Sequence, residues 1–97
     1  MTATVVLERE MGCTREELAR WLPGATRHVP VRPDGDELVF AVGRGQVRLR
    51  AVERPPRRIA LIEVPVLAVR FAFVGVGEAD RREFLEWFDA YTRRGGG

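Results

Sequence analysis

Two side chains in this chain of 97 residues could form a nucleophile–base pair: its single cysteine, Cys13, and its single histidine, His28. Cys13 stands just before a helix-start pattern, Thr14-Arg15-Glu16-Glu17. A thiol near a helix N-terminus can lose its proton more readily and become nucleophilic. The competing assignment is a hydrophobic staple, in which the residue before the N-cap packs against a residue in the first turns, here Leu18. His28 lies in a proline-rich connection, where a surface histidine is the ordinary outcome. Asp34, Asp36 and Glu37 cluster around Gly35 and could hold a hard cation, although Pro33-Asp34-Gly35-Asp36 reads first as a turn. Arg48, Arg50 and Arg70 alternate along predicted strands. They could bind an acidic small molecule or nucleic acid, or be neutralised within the chain by acids such as Glu53 or Glu63.

The absent residue types restrict the chemistry further. The chain has no Ser, no Asn and no Lys, and all 16 of its basic residues are Arg. Without Lys there is no Schiff-base chemistry and no phosphate-binding P-loop lysine. Without Ser there is no serine nucleophile. One Cys and one His cannot make a closed zinc site, which needs four such ligands. No cofactor is implied and no metal is expected. The Arg-only, Ala/Val/Gly-rich composition is bacterial-like and reads as a GC-rich coding bias. A net charge of +2 is too small to indicate a nucleic-acid partner. No apolar run is long enough to cross a membrane. Residues 1–10 lack a basic-then-apolar signal pattern, so a cytoplasmic location is expected. One cysteine excludes an internal disulfide.

The elements that must position these residues follow from periodicity and punctuation. Thr2–Glu8, rich in β-branched residues, predicts a strand. Thr14 and Glu17 form a capping box that starts a helix over Arg15–Leu22, with Pro23-Gly24 as its stop. Residues 25–35 form a connection with an extended piece at His28–Arg32. Strands follow at Glu37–Val42 and Gln46–Val52, joined by a hairpin loop at Gly43-Arg44-Gly45. Arg54-Pro55-Pro56-Arg57 reads as the next turn, followed by strands Arg58–Val64 and Ala68–Val74. The alternative to a join at Pro65 is one long bent strand with that proline at an edge or bulge. The spacing of Phe84, Leu85, Trp87, Phe88 and Tyr91 predicts an amphipathic helix from about Ala79 to Arg93. It opens on a capping-box variant at Asp80–Glu83, and Gly95 is its stop. Residues 95–97 read as a flexible tail, and residues 1–97 as a single domain.

The order β-α-β-β-β-β-α resembles the TATA-binding-protein-like arrangement, which the START-like helix-grip proteins elaborate with extra strands. Leu22-Pro23-Gly24 after the first helix is its only local cue. The resemblance implies an α+β fold: a curved antiparallel sheet of four or five strands with both helices on one face. The terminal Gly95-Gly96-Gly97 invites comparison with ubiquitin-like carriers, but those open on a β-hairpin, and here the first strand leads to a helix.

Alternation assigns the two sheet faces. One gathers Val5, Leu7, Leu38, Phe40, Val47, Leu49, Ile59, Leu61, Val69, Phe71 and Phe73 under Leu18, Trp21, Phe84 and Phe88, and is the expected core. The other gathers Val6, Val39, Ala41, Arg48, Arg50, Val52, Ala60, Ile62, Val64, Ala68, Arg70 and Ala72. A solvated face would carry more Thr, Lys and Glu. This second face, marked by Ala41, Arg48, Arg50, Ile62 and Arg70, is therefore the expected partner or ligand surface, covered by a second copy of the chain. The resulting expectation is a non-enzymatic interaction or ligand-binding module acting as a homodimer. The alternatives are a small enzyme or accessory subunit binding an acidic small molecule, and nucleic-acid binding through the arginine-bearing face.

Overall fold

A computed structural model describes residues 3–93 and 95. The order is β1 (Thr4–Met11), α1 (Arg15–Ala25), β2 (Val31–Asp34), β3 (Glu37–Val42), β4 (Gly45–Ile59), β5 (Ile62–Val74) and α2 (Glu78–Arg93). The strands form one antiparallel five-stranded sheet in the order β1-β5-β4-β3-β2. Both helices pack on the same face of it and against each other. The α+β class and the element order are those the sequence implies. Of the glycine tail, Gly96 and Gly97 lie outside the described residues.

The strand count agrees for a reason other than the expected one. The extended piece near His28 is a short strand of its own, β2. The three predicted segments from Gln46 to Val74 are two long strands, β4 and β5. Their hairpin turns at Ala60-Leu61, neither at Pro55-Pro56 nor at Pro65. The register shows why the prolines misled. Arg54 pairs with Val66 and Arg57 with Val64, so Pro55 and Pro56 together oppose Pro65 in a β-bulge. A bulge leaves ladder positions unpaired, and proline has no N–H to contribute, so all three prolines sit where the ladder loses little. The turn lacks the usual glycine or asparagine. Ala60 takes a left-handed φ of 55°, which disfavours a side chain by about 1–2 kcal/mol.

Helix α1 starts on the expected capping box. The Thr14 hydroxyl accepts from the Glu17 N–H at 3.1 Å, and the Glu17 carboxylate accepts from the Thr14 N–H at 2.9 Å. It does not stop at Pro23-Gly24 but runs through them to Ala25. Pro23 is tolerated because it lies in the last turn, and the final carbonyls find other donors. The Leu22 carbonyl accepts from the Thr26 N–H at 2.9 Å, that of Pro23 from the His28 N–H, and that of Gly24 from the Trp87 indole at 2.8 Å. The chain then reverses through Arg27 and His28, both with left-handed φ. Helix α2 begins at Glu78, earlier than the Asp80 cap, which leaves Asp80 in its first turn.

The core lies between the sheet and α2. Phe71 is fully buried, with its ring 5.2 Å from Phe88 and 6.0 Å from Phe73. Phe84 packs on Phe40, Phe71 and Phe73. Leu18, Leu22, Val47, Leu49, Leu67 and Val69 close the layer, each contributing about 1.5–3 kcal/mol by its burial. Three residues expected in this core are not there: Val5 is exposed at the sheet edge, and Ile59 and Leu61 lie far out along the β4–β5 hairpin. Helices cover only part of these long strands, so alternation alone does not decide burial.

That hairpin dominates the outline, which measures 49 × 25 × 22 Å. β1 pairs β5 only from Leu67 to Val74, and β3 pairs β4 only from Gly45 to Arg50. Beyond those limits the two strands continue as a projecting ribbon, here called the arm. Leu61 at its turn is 104% exposed, Ile62 66% and Ile59 57%.

Candidate interaction surface

The sheet face away from the helices is built in rows fixed by register. Next to the β4 start lies Thr4–Val74–Gln46–Ala41, then Val6–Ala72–Arg48–Val39–Arg32, then Glu8–Arg70–Arg50–Glu37–Asp34. Glu10–Ala68–Val52 follows, and the arm adds the pairs Val66–Arg54, Val64–Arg57 and Ile62–Ile59. Because of the bulge, Arg57 and Ile59 face this side. In an unbroken strand Arg58 would have taken that place.

The structure brings Arg48, Arg50 and Arg70 together on this open face, with Ala41 at its β3 side. Ile62 is on the same side but at the tip of the arm, far from the others. The arginines do not point freely outward. Arg48 donates to Asp34 at 2.9 Å and to Glu37 at 3.1 Å. Arg50 pairs with Asp36 at 3.1 Å, Arg70 with Glu8 at 3.6 Å and Arg57 with Glu10 at 3.2 Å. Pairing partners were expected at Glu53 or Glu63. They are instead the acids of the β2–β3 turn and of β1, which only the strand register brings alongside. The Asp34-Gly35-Asp36-Glu37 cluster thus supplies counter-ions to Arg48 and Arg50. An acidic ligand at these arginines would have to displace carboxylates already in place. Such exposed pairs stabilise by about 0–1 kcal/mol each, so their main effect is to neutralise the middle of the face.

Sequence reasoning missed the arm, where Ile59-Ala60-Leu61-Ile62 is an apolar stretch without a helix above it. Its signal was present: Arg57 and Ile59 on one side of a two-residue turn mirror Ile62 and Val64 on the other. Arg54 and Arg58, also on the arm, have no carboxylate within 4.0 Å among the described residues.

Cys13 and His28 are held apart. Cys13 precedes the start of α1 and His28 follows its end, and an 11-residue helix between them spans about 16 Å. Cys13 is 2% exposed and shares the core cluster with Leu18, as a staple requires. Burial, and secondarily the Glu17 carboxylate, push its thiol pKa upward, opposite to the shift that activates a nucleophile. His28 is exposed. Elsewhere, a cleft of about 190 Å³ between the end of α1, α2 and β3 is lined in part by Arg27, whose guanidinium lies 4.5 Å over the Trp87 ring and 3.4 Å from Glu83. Among the described residues, no group of three or more His, Cys, Asp or Glu side chains is placed to share a metal ion. No helix among them is long and apolar enough to cross a membrane.

No protein-family model, curated protein or solved structure matches the chain.

Proposed function

We propose that this chain is a non-enzymatic, cytoplasmic interaction module that acts as a homodimer, with the open face of its sheet and arm as the working surface. The single observation behind this reading is the make-up of that face. Val6 on β1 and Val52, Ile59 and Ile62 on β4 and β5 are exposed on one face, while Arg48, Arg50, Arg57 and Arg70 of that face pair with the chain's own carboxylates. Exposed apolar side chains on such a face favour contact with a partner, and a ribbon of two strands is marginally stable in water when uncovered. The element order, which resembles the TATA-binding-protein-like and helix-grip arrangements, supports the reading only as fold analogy. Sedimentation velocity at micromolar concentration is the test: a dimer is expected, and a mass of one chain at every concentration would remove the proposal.

A second reading has its own observation. Arg54 and Arg58 carry charge with no carboxylate partner among the described residues, on a two-stranded ribbon of the kind that fits a nucleic-acid groove. The arm has no aromatic residue for base stacking, which ranks this reading second. Retention on duplex DNA that falls steeply with salt would favour it.

A further inference from the structure

We infer that two copies join along the outer edge of β1, antiparallel about Val6, so that their two sheets become one continuous sheet. This deepens the homodimer reading and rests on it, and it leaves the open face of both copies uncovered. The argument starts from the backbone groups that lack partners. The Gly75 N–H donates to the Ala3 carbonyl at 2.9 Å, and these residues stand opposite each other, one step beyond the Thr4–Val74 pair. An antiparallel ladder alternates between residues that exchange bonds with the strand opposite and residues that do not. Val5, Leu7, Arg9 and Met11 therefore bond β5, and Thr4, Val6, Glu8 and Glu10 turn their N–H and C=O groups to the outer side. No other described strand pairs there.

Elsewhere the free edges are blocked by proline, which has no N–H to offer. β2 is 4 residues long and carries Pro33. In the arm, Pro55 and Pro56 interrupt β4 and Pro65 interrupts β5. β1 has 8 residues, no proline and no bulge, and an unguarded edge is a template for pairing. Its first half is apolar, with Val5 and Val6 exposed, and its second half is Glu8-Arg9-Glu10. Outward groups of two copies meet only where even-numbered residues oppose even-numbered ones. That parity keeps the helices of both copies on one side of the joined sheet. Centring the pair on Glu8 or Arg9 sets like charges directly opposite each other, which destabilises a sheet. Centring on Leu7 sets Val6 against Glu8 and Val5 against Arg9. Centring on Val5 engages Thr4 and Val6 but not Glu8 among the described residues. Centring on Val6 sets Val6 on its own copy, Val5 against Leu7 and Thr4 against Glu8. Apolar side chains then meet, and the outward groups of Thr4, Val6 and Glu8 are all satisfied.

Cross-linking reads this register. In a Cys13→Ala background, Val6→Cys places two thiols across the axis at the roughly 5.5 Å Cα separation of a bonded pair, within disulfide reach. Mild oxidation should give a covalent dimer. Glu10→Cys, whose copies stand eight residues apart along the strands, about 27 Å, should not. In the unaltered chain, the Val6 and Glu8 amides should exchange more slowly as concentration rises through dimer formation. Val6→Pro removes an N–H that makes no bond within the chain. The monomer should keep its melting temperature while the dimer weakens at least about tenfold by sedimentation. Val52→Glu, on the open face of β4, should leave the dimer unchanged. A dimer that tolerates Val6→Pro, leaves the Val6 and Glu8 amides unprotected or is lost on Val52→Glu would overturn edge pairing while the homodimer stands. A wild-type monomer would overturn both readings. Cross-linking and exchange decide the point even if Val6→Pro does not fold.

Discussion

The same two strands live in two environments. From Gly45 to Arg50 and from Leu67 to Val74, β4 and β5 are flanked by β3 and β1 and roofed by α2, and nearly every inward side chain is sealed. From Glu53 to Val66 the strands stay paired across one bulge but have neither flanking strands nor a helix above them. Both stretches carry apolar side chains, although the arm carries fewer. What differs most is coverage, and coverage decides whether an isoleucine is core or exposed. The molecule therefore has one part whose apolar residues hold the fold and another whose apolar residues stand exposed.

Substitution should separate the two parts cleanly. The largest effect is expected at Phe71, which is sealed against Phe73, Phe84 and Phe88. Phe71→Ala should cost about 3–5 kcal/mol in urea unfolding. Thr14→Ala removes the capping box and should cost about 1 kcal/mol by the same measurement; no loss would mean that α1 is held by packing alone. Ala60→Gly relieves the left-handed turn and should slow amide exchange in the arm, a gain of up to about 1 kcal/mol. Its effect on core amides should be far smaller, and equal protection in both would show that arm and body unfold together. Leu61→Ala should be the smallest, within about 0.5 kcal/mol, although it removes as apolar a side chain as any in the core. A large loss there in dilute monomer would erase the distinction between the two parts.

Cys13 offers a chemical test of the covered part. Maleimide should react with it far more slowly than with a free thiol at neutral pH. The sign of its contribution follows from its raised pKa. The folded state binds this proton more tightly than the unfolded one, so the stabilisation is complete below the ordinary thiol pKa. It is lost as pH rises through the folded value. Alkaline destabilisation that disappears in Cys13→Ala would confirm it.

The strand Glu37–Val42 was legible to the residue, and so was the Thr14–Glu17 cap, because each carries its own local signal: alternation in one case, a side chain three residues from its partner in the other. Phe71, Phe73, Val47 and Leu49 were legible as core because alternation and roofing agree there. The Ala60-Leu61 turn was not legible, since neither residue has turn chemistry, whereas Pro55, Pro56 and Pro65 do and are used for a bulge. Pro23-Gly24 failed in the same way: a helix can carry both in its last turn when Thr26, His28 and Trp87 satisfy the carbonyls. For the candidate surface, alternation placed Arg48, Arg50 and Arg70 on one face, but their acidic partners depend on long-range register that no local pattern encodes.

The three facing prolines have one more consequence. Cross-β growth requires strand after strand to stack on a free backbone, each N–H finding a carbonyl in the next layer. Where Pro55 and Pro56 oppose Pro65, that repeat cannot propagate along either side. The exposed apolar ribbon is thus guarded against edge-to-edge stacking into fibrils.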